Sequence, residues 1–179
     1  MLSPELRDVD FIKIRTLVFE LCGIDLHDGK KELVKARLGK RLRQGNFKSF
    51  KDYYQYVTTR DGADELISMI DSISTNLTSF FREESHFQRF RSVIPELVKG
   101  PAIPGKMPRI DIWCAGCSTG EEAYSIAIAV RESLQRAAQL RIRATDISTK
   151  VLKTAAAGIY PEDRINKIPA QLVKKYFSE

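Results

Sequence analysis

Arg109-Ile110-Asp111-Ile112-Trp113-Cys114 runs into Ala115-Gly116-Cys117-Ser118-Thr119-Gly120 and then into Glu121-Glu122-Ala123-Tyr124-Ser125. The first six residues read as a strand and the next six as a tight loop of small residues. From Glu121 to about Gln139 the chain reads as a helix, with Tyr124, Ile126, Ala127, Ile128 and Val130 supplying apolar surface. Leu140 to Thr145 reads as a second strand, and Ser148 to Ala157 as a second helix closed by Gly158. This alternation of strands and helices predicts an α/β fold with a parallel, doubly wound sheet.

Upstream the texture changes. Gly100-Pro101-Ala102-Ile103-Pro104-Gly105 is a breaker cluster, and residues 82 to 99 before it read as a connecting helix that Pro95 enters in a first turn or kinks. Before that, only helices are predicted. Phe11, Ile14, Leu17, Val18 and Leu21 recur at helical spacing up to Gly23. Val34, Leu38 and Leu42 make a second stripe ended by Gln44-Gly45-Asn46. Phe50, Tyr53, Tyr54 and Val57 make a third. After Asp61-Gly62, Leu66, Ile67, Met69, Ile70 and Ile73 make a fourth. A small N-terminal helical bundle buries such faces against each other. The organisation expected is a helical domain over 1–75, a connecting helix and linker over 76–105, and the sheet-bearing part over 106–179.

The 179 residues are 43% hydrophobic and 29% charged, an ordinary balance for a globular chain. No apolar run approaches the roughly 20 residues of a membrane span, and Met1 to Leu6 lacks a signal-peptide pattern, which predicts a cytoplasmic protein without membrane insertion. The formal charge of +6, from 29 Lys+Arg against 23 Asp+Glu, favours acidic partners. Cys22, Cys114 and Cys117 are an odd number and do not read as a disulfide framework. Cys114 and Cys117 form a C-x-x-C, which lacks the second pair a zinc site needs; the alternatives are a redox pair or small residues packed under a loop. No metal is expected.

The loop 115–120 opens a helix, whose N-terminus offers unpaired N–H groups to a phosphate or an amino-acid carboxylate. Only Gly116 and Gly120 are glycine, so the dinucleotide pattern G-x-G-x-x-G is not met, which argues against a dinucleotide-dependent oxidoreductase. Asp146 directly follows the second strand. It suits the ribose hydroxyls of a nucleoside; the other reading is a helix cap, supplied by Asp146 or Ser148.

Three ordered blocks then make the reading specific. Trp113 to Ser125 resembles the cofactor loop of CheR-type chemotaxis-receptor glutamate methyltransferases. Asn76-Leu77-Thr78-Ser79-Phe80-Phe81-Arg82-Glu83 with His86-Phe87, and Ala144-Thr145-Asp146-Ile147-Ser148 with Leu152 and Gly158-Ile159-Tyr160, resemble two further blocks of that family; Tyr176-Phe177 also fits. The resemblance implies a partial Rossmann-like sheet that binds S-adenosylmethionine and releases S-adenosylhomocysteine. By position it implies cofactor contacts at Asn76, Thr78, Arg82, Ala115, Gly116, Glu122 and Asp146, with Arg82 also the candidate for orienting the reacting carboxylate. It further implies that a complete family member continues well past Glu179, carrying later strands. A sheet of two clear strands leaves its edges open to completion in trans by self-association.

Lys30, Lys31, Lys35, Arg37, Lys40, Arg41 and Arg43 crowd one predicted helix, with Lys30, Arg37 and Arg41 on one stripe. The resemblance implies that this helical domain meets the acidic methylation region of a receptor's cytoplasmic domain, to which a basic helix is complementary in charge. A solvated helix face is the plain alternative, and no nucleic-acid-binding motif accompanies the charge. A non-catalytic receptor-binding module is the competing function.

Overall fold

The computed structural model describes residues 4–99, 107–134 and 137–178. The chain divides into two compact units, Met1–Thr75 and Asn76–Glu179.

The first unit is helical among its described residues: α1 (Asp8–Cys22), α2 (Lys31–Gln44), α3 (Phe50–Val57) and α4 (Ala63–Ile73). The periodic apolar residues explain it. Phe11, Ile14 and Val18 of α1, Val34, Leu38 and Leu42 of α2, Phe50, Tyr53 and Val57 of α3, and Met69 and Ile73 of α4 close into one buried core. Gly23 ends α1 in the left-handed conformation, its N–H bonding back to the Phe19 carbonyl. The Ser49 hydroxyl caps α3 by accepting from the Asp52 N–H.

The basic stripe of α2 is partly built into this core's rim. Arg41 makes a two-pronged ion pair with Glu65 of α4, and the buried Tyr53 hydroxyl donates to the same carboxylate at 2.8 Å. Arg37 donates to the Ile73 and Ser74 carbonyls and to Thr75 Oγ1. Lys31 pairs with Asp8 and Lys35 with Glu32. Lys30, expected on the helix, lies in the single 3₁₀ turn before it and is exposed, as are Lys40 and Arg43. Lys30 therefore does not share a surface role with Arg37 and Arg41, which are half-buried braces.

The second unit is α/β: α5 (Glu84–Leu97), β1 (Arg109–Ala115), α6 (Glu121–Ser133), β2 (Gln139–Thr145), α7 (Thr149–Ala157), α8 (Glu162–Ile165) and α9 (Ala170–Tyr176). β1 and β2 pair in parallel, with Ile110 opposite Leu140 and Ala115 opposite Thr145. Their even-numbered residues face a core in which Ile110 and Cys114 meet Phe87 and Ile94 of α5 and Ile126, Ala129 and Val130 of α6. The odd-numbered face carries Arg109, Asp111, Trp113, Arg141 and Arg143, all exposed. Pro95 sits in the last turn of α5, not its first; its missing N–H cannot continue the ladder, and the helix ends at Leu97. α6 stops at Ser133, short of the expected Gln139, because the Gln139 N–H already donates to the Pro108 carbonyl at 2.8 Å as β2 joins the sheet. The breaker cluster 100–105 lies outside the described residues. Among those described, no helix is long and apolar enough to cross a membrane.

Candidate cofactor-binding site

The site is organised where β2 ends. The Thr145 carbonyl accepts from the Gly116 N–H at 2.8 Å and the Cys117 N–H at 2.9 Å, tying the loop after β1 to the neighbouring strand. One residue on, the half-buried Asp146 accepts from the Ser118 N–H through Oδ2 at 2.7 Å and from the Ser148 N–H through Oδ1 at 2.8 Å. Asp146 thus joins the loop to the start of α7, while Ser148 is the cap of that helix, its hydroxyl accepting from the Val151 N–H. Each carboxylate oxygen has a second lone pair, so both retain acceptor capacity.

The loop itself is held in an unusual course. Ser118 adopts φ +49° and Gly116 φ +77°. Gly116 is exposed, and a Cβ there would meet nothing within 4 Å, so the backbone is bare at the mouth of the loop. Gly120 is the opposite case: at φ +99°, its missing Cβ would lie 2.6 Å from the Tyr160 hydroxyl and 3.0 Å from Ala155 Cα. There glycine permits close packing of the start of α6 on α7 and on the Tyr160 segment that follows it.

The upstream segment reaches the same loop through its backbone. The Ser118 hydroxyl donates to the Asn76 carbonyl at 3.0 Å, and Arg164 donates to the Thr78 carbonyl at 3.4 Å. The exposed Arg82 donates through Nη1 to the Leu77 carbonyl at 2.8 Å, closing the segment on itself. Phe80 is buried between the rings of Tyr160 and Phe177, the packing role its type suggests.

The two adjacent glutamates at the start of α6 part company. Glu122 is exposed. Glu121 is 1% exposed, accepting from the Thr119 hydroxyl at 2.6 Å and pairing with Arg164 at 3.2 Å. Tyr160 donates to the Thr119 carbonyl at 2.7 Å, and its phenol is pushed up by burial and then by the Glu121 charge. Sequence reasoning missed Ser118, Glu121, Ser125, Tyr160 and Arg164 as members of this network. One signal was present: neighbours on a helix point about 100° apart, so two first-turn acids cannot share one environment. For Arg164 there was none.

Cys114 and Cys117 are free thiols under the loop. Burial, followed by the charge of Glu122, pushes Cys114 up to about 11, and burial also raises Cys117. Both are protonated at neutral pH, unlike the low-pKa thiols of reactive sites.

A loop backbone open to close approach at Gly116, with the Gly116, Cys117 and Ser118 N–H groups committed within the fold, joins the start of a helix and a strand-end carboxylate with spare lone pairs, an arrangement that fits a nucleoside-bearing amino acid. An α/β domain with this arrangement belongs to the nucleoside-cofactor-binding class. The chain is a member of the CheR methyltransferase family: residues 9–74 match its all-alpha domain and residues 76–179 its SAM-binding domain. The latter makes S-adenosylmethionine the cofactor. The chain is 40% identical over 167 residues to a chemotaxis protein methyltransferase of Borreliella burgdorferi, covering 91% of this chain and 59% of that protein. It is 38% identical to chemotaxis protein methyltransferase 2 of Pseudomonas aeruginosa, over 94% of this chain and 58% of that protein. With the chemotaxis protein methyltransferase of Escherichia coli the figures are 33%, 96% and 57%. The chain therefore spans less than two thirds of the length of these relatives.

Proposed function

We propose that this chain carries the cofactor-binding and receptor-recognition portion of an enzyme that methylates glutamate side chains on the cytoplasmic domain of a chemotaxis receptor. The observation that carries the reading is Asp146, clamped between the Ser118 and Ser148 N–H groups beside the bare Gly116 backbone, in a stretch that matches a SAM-binding domain.

When bound, S-adenosylmethionine supplies an electrophilic methyl group on a cationic sulfur. In this reading the spare lone pairs of Asp146 accept from the ribose hydroxyls. Glu122 accepts from the cofactor's ammonium, and the Asn76 and Thr78 side chains add neutral hydrogen bonds. Ala115 and Gly116 let the backbone approach the ligand. Arg82 presents a planar fork to a carboxylate, and we assign it both the cofactor's carboxylate and the orientation of the reacting glutamate. That glutamate is ionised at neutral pH and needs no general base, so alignment and exclusion of water do most of the work.

The helical unit over 1–75 is proposed to recognise the receptor. Of the basic cluster from Lys30 to Arg43, Lys30, Lys40 and Arg43 are exposed, Lys31 and Lys35 are half-exposed, and Arg37 and Arg41 act indirectly by holding α2 in place. The test is transfer of labelled methyl from S-adenosylmethionine to receptor cytoplasmic fragments. Transfer by the wild type and its loss in Arg82→Ala support the assignment. An unchanged rate in Arg82→Ala removes Arg82 from the site, and a folded wild type that binds receptor without transferring methyl makes the chain a binding module.

A further inference from the structure

Arg82 stands between two residues in a conformation that L-amino acids avoid. Phe81 has φ +51° and Glu83 φ +59°, and neither is glycine. Backbone held this way persists only where surrounding contacts over-determine it. One of those contacts is Ser125, in the second turn of the loop helix α6, with 0% exposure. Its hydroxyl donates to the Glu121 carbonyl at 2.6 Å and accepts from the Phe81 N–H at 2.9 Å. The Phe81 ring packs edge-on against Phe87 at 5.2 Å and lies under the Arg91 guanidinium. The turn 81–83 is therefore fixed at both its backbone and its ring, and it hands the Arg82 side chain to the Leu77 carbonyl.

We propose that Ser125 is a positioning residue for Arg82: through the Phe81 N–H it holds the left-handed turn that aims the guanidinium, and it does so from the same helix that begins at the cofactor loop. This rests on the assignment of Arg82 to the cofactor and substrate carboxylates made above. The chemistry favours a hydroxyl here. Only a group that donates and accepts at once can satisfy both the helix carbonyl and an N–H from another segment within a dry site. Alanine leaves the Phe81 N–H without its partner.

Two measurements on the whole chain test this. The first needs no ligand: amide exchange at Phe81 and relaxation of the Arg82 Nε–H group by nuclear magnetic resonance. In Ser125→Ala, Phe81 exchange rises about tenfold, the ratio set by losing one net hydrogen bond, and Arg82 Nε–H gains mobility. An Arg82 Nε–H as ordered as in the wild type overturns the proposal. The second is a double-mutant cycle on S-adenosylhomocysteine affinity by calorimetry. Ser125→Ala weakens binding about tenfold in the wild-type background and has no effect in the Arg82→Ala background. An equal loss in both backgrounds means a general structural role and overturns the proposal. If the wild type binds no ligand, the assignment of the site fails, and the first measurement still decides the role of Ser125. Should Ser125→Ala fail to fold, Ser125→Cys, close in shape but a weak acceptor, must show the same changes at smaller amplitude; wild-type values in a folded Ser125→Cys refute the proposal.

Discussion

Glu121 and Glu122 are chemically identical neighbours, and the structure assigns them opposite sensitivities to alanine. Glu121→Ala removes a carboxylate that is 1% exposed. It deletes the charge-assisted bond from the Thr119 hydroxyl, the pair with Arg164, and the packing volume of the side chain. The hydroxyl bond is worth about 1.5–3 kcal/mol. The Arg164 pair is discounted to about 0.5 kcal/mol, because Arg164 is half in water and screened. Relaxation of the site and the vacated volume act in opposite directions, leaving a net destabilisation of about 2–3 kcal/mol. For a unit of this size the midpoint falls by on the order of 10 °C. Glu122→Ala, on the exposed side, stays within about 0.5 kcal/mol of the wild type while weakening S-adenosylhomocysteine. Thermal melting followed by circular dichroism reads the first effect and calorimetry the second. A Glu121→Ala protein that melts with the wild type shows that the buried carboxylate is not a brace, and a Glu122→Ala protein that loses stability and keeps its affinity reverses the two roles.

Three further outcomes are expected. Arg37→Ala strips the Ile73 and Ser74 carbonyls and Thr75 Oγ1 of their shared donor, costing about 1–2 kcal/mol by urea denaturation, and Arg37→Glu costs at least as much. Gly120→Ala is strained at φ +99° and drives a methyl onto the Tyr160 hydroxyl and Ala155, destabilising by about 2–4 kcal/mol in the same assay. Cys114, at about 11 in the folded chain against an ordinary 9.0, resists iodoacetamide at neutral pH, and mass mapping finds label on the half-buried Cys22 first. By the same shift, the unfolded thiol ionises before the folded one. Stability contributed by keeping Cys114 neutral is present below pH 9.0 and declines as pH rises towards about 11.

Much of the architecture was legible because single residues announce it. Gly23 and Gly158 close helices, and Gln44-Gly45-Asn46 marks the end of α2. The alternation from Arg109 to Ala115 and from Gln139 to Thr145 marks two half-buried strands. Asp146 could be singled out because a carboxylate just past a strand end, following a glycine-bearing loop in the right order, suits ribose hydroxyls as well as it suits a helix cap. Its clamping of Ser118 and Ser148 was not readable, since that depends on the left-handed turn at Ser118, a residue type that gives no warning of it. The internal braces were equally hidden. Arg37, Arg41, Glu121 and Arg164 are charged residues whose partners lie far along the chain, and charge by itself reads as solvated surface. The short helices α8 and α9 went unread because neither has enough turns to show a period.

The direct measurement is a titration of isotopically labelled chain with S-adenosylhomocysteine, read at each backbone amide. If the strand-end carboxylate and the open bend grip the adenosyl amino acid, shifts concentrate at Gly116, Cys117, Ser118, Glu122 and residues 146 to 148, saturate together, and vanish in Asp146→Ala. Spectra unchanged at saturating ligand, or shifts confined to residues 4–75, rule out this site.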